Sequence, residues 1–349
     1  MIPHVLAIFL MSLGLGTTIA FASSHWFLAW MGLEINTLAI IPLMARHHHP
    51  RAVEATTKYF LTQATAAAMI LFASTMNAWQ TGQWEIVQMT DPVASTVLVL
   101  ALALKIGLAP LHTWLPEVLQ GLDLTTGLIL STWQKLAPFA LIFQVQNFPS
   151  TILILMGALS ALIGGWGGLN QTQLRKILAY SSIAHLGWMV LVLQFNPSLA
   201  LLTLFTYITM TTAAFLTLKH NKATTLKALA ASWVNSPTLT ALTPLVLLSL
   251  AGLPPLTGFG PKWLILQELA KQELILVAIL TAFAALLGLY FYLRMAFMMA
   301  LTMPPHSATS SPLQWRLKKQ SVFLPLATST TAAIMLLPLT PAMVALLTL

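Results

Sequence analysis

The sequence has 349 residues, of which 58% are hydrophobic and 7% charged, with a formal net charge of +8. A soluble domain carries about 25% charged residues, so this chain has too little polar surface to face water on all sides. It has no cysteine, which excludes disulfides, thiolate-bound zinc and cysteine-ligated iron–sulfur clusters, and its basic residues fall in particular loops rather than in a nucleic-acid-binding patch.

Apolar runs of about 20 residues recur along the whole length, the pattern of an all-α polytopic membrane protein. The start, "MIPHVLAIFLMSLGLGTTIAFASS", imitates a secretory signal down to Ala20-Phe21-Ala22. No Lys or Arg precedes its apolar run, so it reads as a retained first span over about 3–21. The second and third spans follow at about 26–45 and 59–79, with Ser23 and Ser24 placed to cap the second. Then come about 93–120, 125–145, 151–169, 176–194, 199–218, 239–271, 274–300 and 323–347, eleven spans in all. The fourth and ninth are too long for single straight helices. No nucleotide loop appears: Gly14 and Gly16 lack a third glycine, and "GGWGG" at 164–168 follows no strand.

Basic residues orient these spans. Arg46, Arg51, Lys58, Arg175, Lys176, Lys219, Lys222, Lys227, Arg316, Lys318 and Lys319 fall on one side. Lys271 alone falls on the other, with Glu85, Asp91 and Glu273. The basic side reads as the matrix or cytoplasmic side, with the N-terminus there and the C-terminus opposite.

The two overlong spans share a motif. "GLAPLHTWLP" at 107–116 returns 145 residues later as "GLPPLTGFGP" at 252–261, with Gly, Leu, Pro, Leu and Pro in register. The fourth and ninth spans run in opposite directions, so the repeat reads as the trace of an inverted-topology duplication with broken helices at the midplane. The expected domains are 1–147 (spans one to five), 148–300 (spans six to ten) and 301–349 (a loop and the last span). Chance recurrence in a Leu-rich, Pro-containing chain is the alternative.

Four ionisable residues lie deep in these spans. At about 1.5 Å per helical residue, Lys105 sits roughly 20 Å past Asp91 and Lys135 roughly 15 Å from either end of its span. Glu34 is about 12 Å into the second span, and Lys262 about 13 Å before Lys271. An ionisable group at the bilayer centre costs about 2.5–3.5 kcal/mol on insertion scales. Such groups persist where they pair, meet water, or act. One carboxylate cannot pair with three lysines; Glu117, which aligns with Lys262 in the repeat, is the nearest other acid. Desolvation works against the charged form of an amine, which suits an unpaired buried lysine to taking up and releasing protons. Static pairing, for instance of Glu34 with Lys105, is the competing reading.

Pro110 and Pro255 remove backbone donors and clash with the preceding turn. Irregular backbone within a bilayer is tolerated only against protein or water, so the breaks point to polar cavities, with a kink used for packing as the alternative. His112, in the first break, suits either proton relay or a structural hydrogen bond. His185, in "AYSSIAHLGW", leans structural. His47, His48 and His49 point in successive directions and read as a solvated loop rather than a metal site. Glu54 and Lys58, four apart, read as a surface pair at a helix start.

The stretches "SSHWFLAWMGLEINTLAIIP", "KYFLTQATAA", "LALKIGLAPLHTWLPEV", "TWQKLAP", "GGWGGLNQTQLRKILAYSSIAHLGWM" and "LSLAGLPPLTGFGPKW" closely resemble the NADH dehydrogenase subunit 2 family. These are antiporter-like membrane subunits of mitochondrial respiratory complex I, here of vertebrate type. The resemblance covers nearly the whole chain and is weakest at 80–92 and 302–320. It implies proton translocation from matrix to intermembrane space across the mitochondrial inner membrane. Its pattern charges match Glu34, Lys105, Lys135 and Lys262, with His112, Glu117 and His185 as relay or hydration candidates. By the resemblance, Lys105 is the switching carrier biased by Glu34, Lys135 links the halves, and Lys262 passes the proton on. Bacterial relatives carry three further N-terminal helices, so lateral packing is where this chain departs from them.

The resemblance also implies that NADH, FMN, iron–sulfur clusters and ubiquinone belong to partner subunits, with no cofactor or metal in this chain. The implied partners are other membrane-arm subunits, antiporter-like neighbours included, accessory subunits, and lipids such as cardiolipin. Moving a proton against each 100 mV costs about 2.3 kcal/mol, to be supplied by electron transfer elsewhere. Two rival functions are a Na+ or K+/proton antiporter and a structural scaffold of the membrane arm.

Overall fold

The computed structural model describes residues 3–46, 49–145, 149–234, 237–301 and 323–348. Among them the regular secondary structure is all helical; extended pairing is confined to isolated bridges, His25 with Glu85 and Gln173 with Thr225. The chain divides into two compact units, Met1–Ser160 and Ala161–Leu349. His47, His48, Arg316, Lys318 and Lys319 lie outside the described residues, as does the 302–320 loop.

The first unit holds α1 (Pro3–Ala22), α2 (Trp26–Met44), α3 (Pro50–Thr81), α4 (Pro92–Ile106), α5 (Trp114–Gly121), α6 (Leu124–Ser131) and α7 (Trp133–Gln144). The unit boundary falls within α8 (Ser150–Gly167). The second unit continues with α9 (Leu174–Leu193), α10 (Pro197–His220), α11 (Leu226–Ala230), α12 (Pro237–Ala251), α13 (Phe259–Lys271), α14 (Ile275–Leu301), α15 (Phe323–Met335) and α16 (Thr340–Thr348). Among the described residues α1, α2, α3, α8, α9, α10 and α14 are each long and apolar enough to cross a membrane. The α15–α16 pair, bent by 69°, makes an eighth when counted as one span.

The helix starts follow capping chemistry. Asp91 accepts the Ala94 N–H at 2.8 Å ahead of Pro92, which opens α4. Asn196 accepts the Leu199 N–H at 3.3 Å ahead of Pro197, which opens α10. Proline suits the first helical position because its missing donor has no partner there anyway. The cap of α2 is His25, whose Nδ1 accepts the Phe27 N–H at 3.1 Å. Ser23, expected as a cap, instead turns its hydroxyl back to the Ala20 carbonyl at 3.0 Å. Helix α3 begins at Pro50, nine residues before the apolar run at 59, because the polar stretch between is helical too and keeps Arg51 and Glu54 exposed.

Helices α1 and α2 meet backbone to backbone. A Cβ on either Gly16 or Gly32 would lie 2.8 Å from the other glycine's carbonyl oxygen. Small residues allow such approach inside a membrane, where burial of apolar surface gives no drive for helices to associate.

Both expected breaks occur, with the same local geometry. Helix α4 ends at Ile106, where Gly107 adopts φ +87° and the N–H groups of Gly107 and Leu108 both bond the Ala103 carbonyl, at 2.8 and 2.9 Å. Helix α12 ends at Ala251, where Gly252 adopts φ +82° and the N–H groups of Gly252 and Leu253 both bond the Leu248 carbonyl, at 3.1 and 3.3 Å. Glycine takes this left-handed conformation without a Cβ penalty. The chain resumes as helix at Trp114 and at Phe259, equivalent positions of the motif. A further interruption, absent from the sequence expectation, separates α6 from α7 at Thr132, whose hydroxyl and N–H both bond the Leu128 carbonyl. Such back-bonding by Thr competes with regular helix.

Candidate functional site

In the first unit the break positions a lysine at a helix end. Lys105 occupies the last turn of α4, where cations are favoured by the helix dipole. It is 6% exposed, and its Nζ has no hydrogen-bond partner. Lys135, in the first turn of α7, is 3% exposed. Both line one small cavity of about 10 Å³, on the scale of a single water, whose polar walls include Asn36, Tyr59, Gln63 and Gln134. Two of the carbonyls freed at the end of α4 are engaged by side chains. The Trp114 indole donates to Leu104 O at 3.0 Å, and the Gln63 amide to Lys105 O at 3.4 Å.

Glu34 stands half-buried on α2. Its carboxylate acts electrostatically on Lys105 and on Tyr59, and its Oε2 is buried without a hydrogen-bond partner. No ion pair joins it to Lys105: the salt bridges among the described residues are Lys58–Glu54, Lys58–Glu117 and Lys271–Glu268. Glu117 belongs to the second of these. It is exposed, and Lys58 lies 2.8 Å from both Glu54 and Glu117, so the expected surface pair is a three-residue cluster tying α5 to α3. His112 lies in the break against the Pro110 carbonyl, with Nδ1 buried and unpartnered; it is not among the residues lining the Lys105 cavity.

In the second unit the lysine follows the break. Lys262, in the first turn of α13, turns back so that Nζ donates to Ala251 O at 2.8 Å and to Leu250 O at 3.5 Å. It thereby satisfies carbonyls that α12 leaves without intrahelical partners. Pro255 lies within that break. Two small cavities of about 20 Å³ each flank the amine, and His185 lines both. The first is completed by Ser181 and Tyr292 and the second by Thr203 and Thr206. The His185 ring lies 5.6 Å from that of Tyr207.

The structure therefore brings Lys105 and Lys135 to one cavity, with Glu34 acting on it, and sets His185 beside Lys262. Glu117 faces away. Sequence reasoning passed over Asn36, Tyr59, Gln63, Gln134, Ser181 and Tyr292. Their signal was present: polar side chains inside apolar spans mark interior-facing surfaces.

The same cavities fall within a known family. Residues 23–288 match the NADH:quinone oxidoreductase/Mrp antiporter transmembrane family, and residues 289–344 match the C-terminal region of NADH dehydrogenase subunit 2. The chain belongs to this family. Glu34, Lys105, Lys135 and Lys262 all lie within the first matched region. NADH-ubiquinone oxidoreductase chain 2 of Salmo salar is 69% identical over 99% of both chains, and that of Tetraodon nigroviridis is 68% identical over 98% of both. A chain of respiratory complex I from Thermus thermophilus, solved with bound aureothin, superposes with a TM-score of 0.85 at 28% identity. The match covers 98% of this chain and 79% of that one.

Proposed function

We propose that the chain is a proton-translocating membrane subunit of NADH:ubiquinone oxidoreductase, complex I, in which Lys105, Lys135 and Lys262 carry the proton and Glu34 biases Lys105. The supporting observation is the Lys105 amine: buried, without an ion-pair or hydrogen-bond partner, and sharing a polar cavity with Lys135. A lysine retained only for packing would be held by a fixed counter-ion. Lys105 instead feels the Glu34 charge without bonding to it, so displacement of that charge changes how firmly the amine holds its proton. Lys262, held by carbonyl dipoles, receives the proton in the second unit, with His185 alongside as relay.

The family membership and near full-length match to vertebrate chains support placement among membrane-arm subunits of the mitochondrial inner membrane. Accessory subunits and cardiolipin are further expected neighbours. NADH, FMN, iron–sulfur clusters and ubiquinone belong to other subunits, which supply the energy by electron transfer. Counting α4–α5, α6–α7, α12–α13 and α15–α16 as one crossing each, beside the seven long helices, supports eleven spans, and the excess of Lys and Arg in alternate loops favours an N-terminus on the matrix side. The matching caps at Gly107 and Gly252 support two inverted halves of five spans, followed by the last span.

The test replaces Lys105 or Lys135 by methionine in an assembled complex and measures protons moved per electron. The reading requires the ratio to fall while NADH oxidation continues; an unchanged ratio overturns it. Failure of either variant to assemble favours the scaffold reading, and pumping that requires Na+ or K+ favours the antiporter reading.

A further inference from the structure

Asn36 lies on α2, two residues beyond Glu34, and is 2% exposed. Neither its Oδ1 nor its Nδ2 has a hydrogen-bond partner. A buried amide left this way is destabilising, and a leucine would fill the same branched shape without that cost. The surroundings are nonetheless fitted to the amide. Gly16 on α1 leaves room for it: a Cβ there would lie 2.5 Å from Asn36 Oδ1 and 2.9 Å from Cγ. On the other side the Gln134 amide donates to the Asn36 backbone carbonyl at 3.2 Å, joining α2 to the residue next to Lys135. Asn36 also lines the cavity that Lys105 and Lys135 share.

A protonated amine donates and a neutral amine accepts, so a water between two lysines reverses its orientation as the proton passes. An asparagine amide, with an acceptor and two donors, can hold that water in either orientation. Asn36 leaves its whole amide unused, whereas Gln63 and Gln134 each commit one amide N–H to a backbone carbonyl.

We propose that Asn36 is a positioning residue of the proton path, its amide holding the water that joins Lys105 to Lys135. This rests on the reading of those lysines as proton carriers. The experiment compares Asn36→Leu, Asn36→Ser and Lys135→Met in the intact complex reconstituted in liposomes. Protons moved per electron and NADH oxidation are measured in each. Leucine keeps the shape and removes the polar atoms; serine loses the shape and keeps a hydroxyl with room for water. The water-holding role predicts that Leu lowers the ratio toward that of Lys135→Met with oxidation retained, and that Ser leaves it near the parent value. A packing role predicts the opposite order and overturns the proposal. If Lys135→Met lowers the ratio and Asn36→Leu does not, the Asn36 role alone fails. If Lys135→Met changes nothing, the reading beneath it fails. Should Asn36→Leu not assemble, the equal-sized pair Asn36→Thr and Asn36→Val, with and without a hydroxyl, is measured in the same way. A higher ratio in Thr than in Val supports the proposal, and equal ratios overturn it.

Discussion

Replacing Lys262 by arginine separates its two roles. The amine fixes the end of α12 by donating to Ala251 O at 2.8 Å, and a guanidinium can do the same while keeping the positive charge. Arginine differs in the step that matters for transport. In water it holds its proton about 3–5 kcal/mol more tightly than lysine does. At about 1.4 kcal/mol per tenfold in rate, release slows by about a hundredfold or more. Lys262→Arg is therefore expected to assemble, to keep electron transfer, and to move fewer protons per electron. Lys262→Met removes the charged hydrogen bonds as well, worth about 1.5–3 kcal/mol, and is expected to lower the thermal midpoint of the complex in addition. The assay is acidification per NADH oxidised in sealed liposomes, paired with a thermal melt. If Lys262→Arg pumps at the parent ratio, Lys262 is a static cap on a broken helix and the proton leaves by another route.

Two other substitutions test the frame around the amines. Gly252→Ala puts a methyl where φ is +82°, at 2.9 Å from the Lys262 Cδ and 3.0 Å from its Nζ. The left-handed conformation alone costs about 1–2 kcal/mol for a residue with a Cβ, so a lower melting midpoint and a lower proton ratio are expected together. A parent-like value of both would show that the break tolerates a regular residue. Glu117→Gln removes one of two carboxylates from Lys58 on an exposed surface. Such screened pairs contribute little, so near-parent pumping is expected, and a large loss would put Glu117 in the path despite its outward position.

The breaks were legible in the sequence. The apolar runs set Lys105, Lys135, Lys262 and Glu34 away from the ends of the expected spans, and the breaks turn three of those positions into helix ends: Lys105 in the last turn of α4, Lys135 and Lys262 in the first turns of α7 and α13. The recurring Gly-Leu-x-Pro-Leu, read through its prolines, located both breaks, while the left-handed caps at Gly107 and Gly252 that end α4 and α12 came from the structure. What faces what was decided only by the tertiary structure. These spans are apolar nearly all round, so no stripe on the sequence says which side meets which neighbour. Hence Glu117, in register with Lys262, turns out to Lys58, and Lys262 folds back on carbonyls of the preceding helix. His185 comes to lie beside Lys262. Asn36, Tyr59 and Gln63, far from Lys105 in the chain, line its cavity. Position along the membrane normal is a property of one helix and its hydropathy, whereas rotation about the helix axis is fixed by packing between helices.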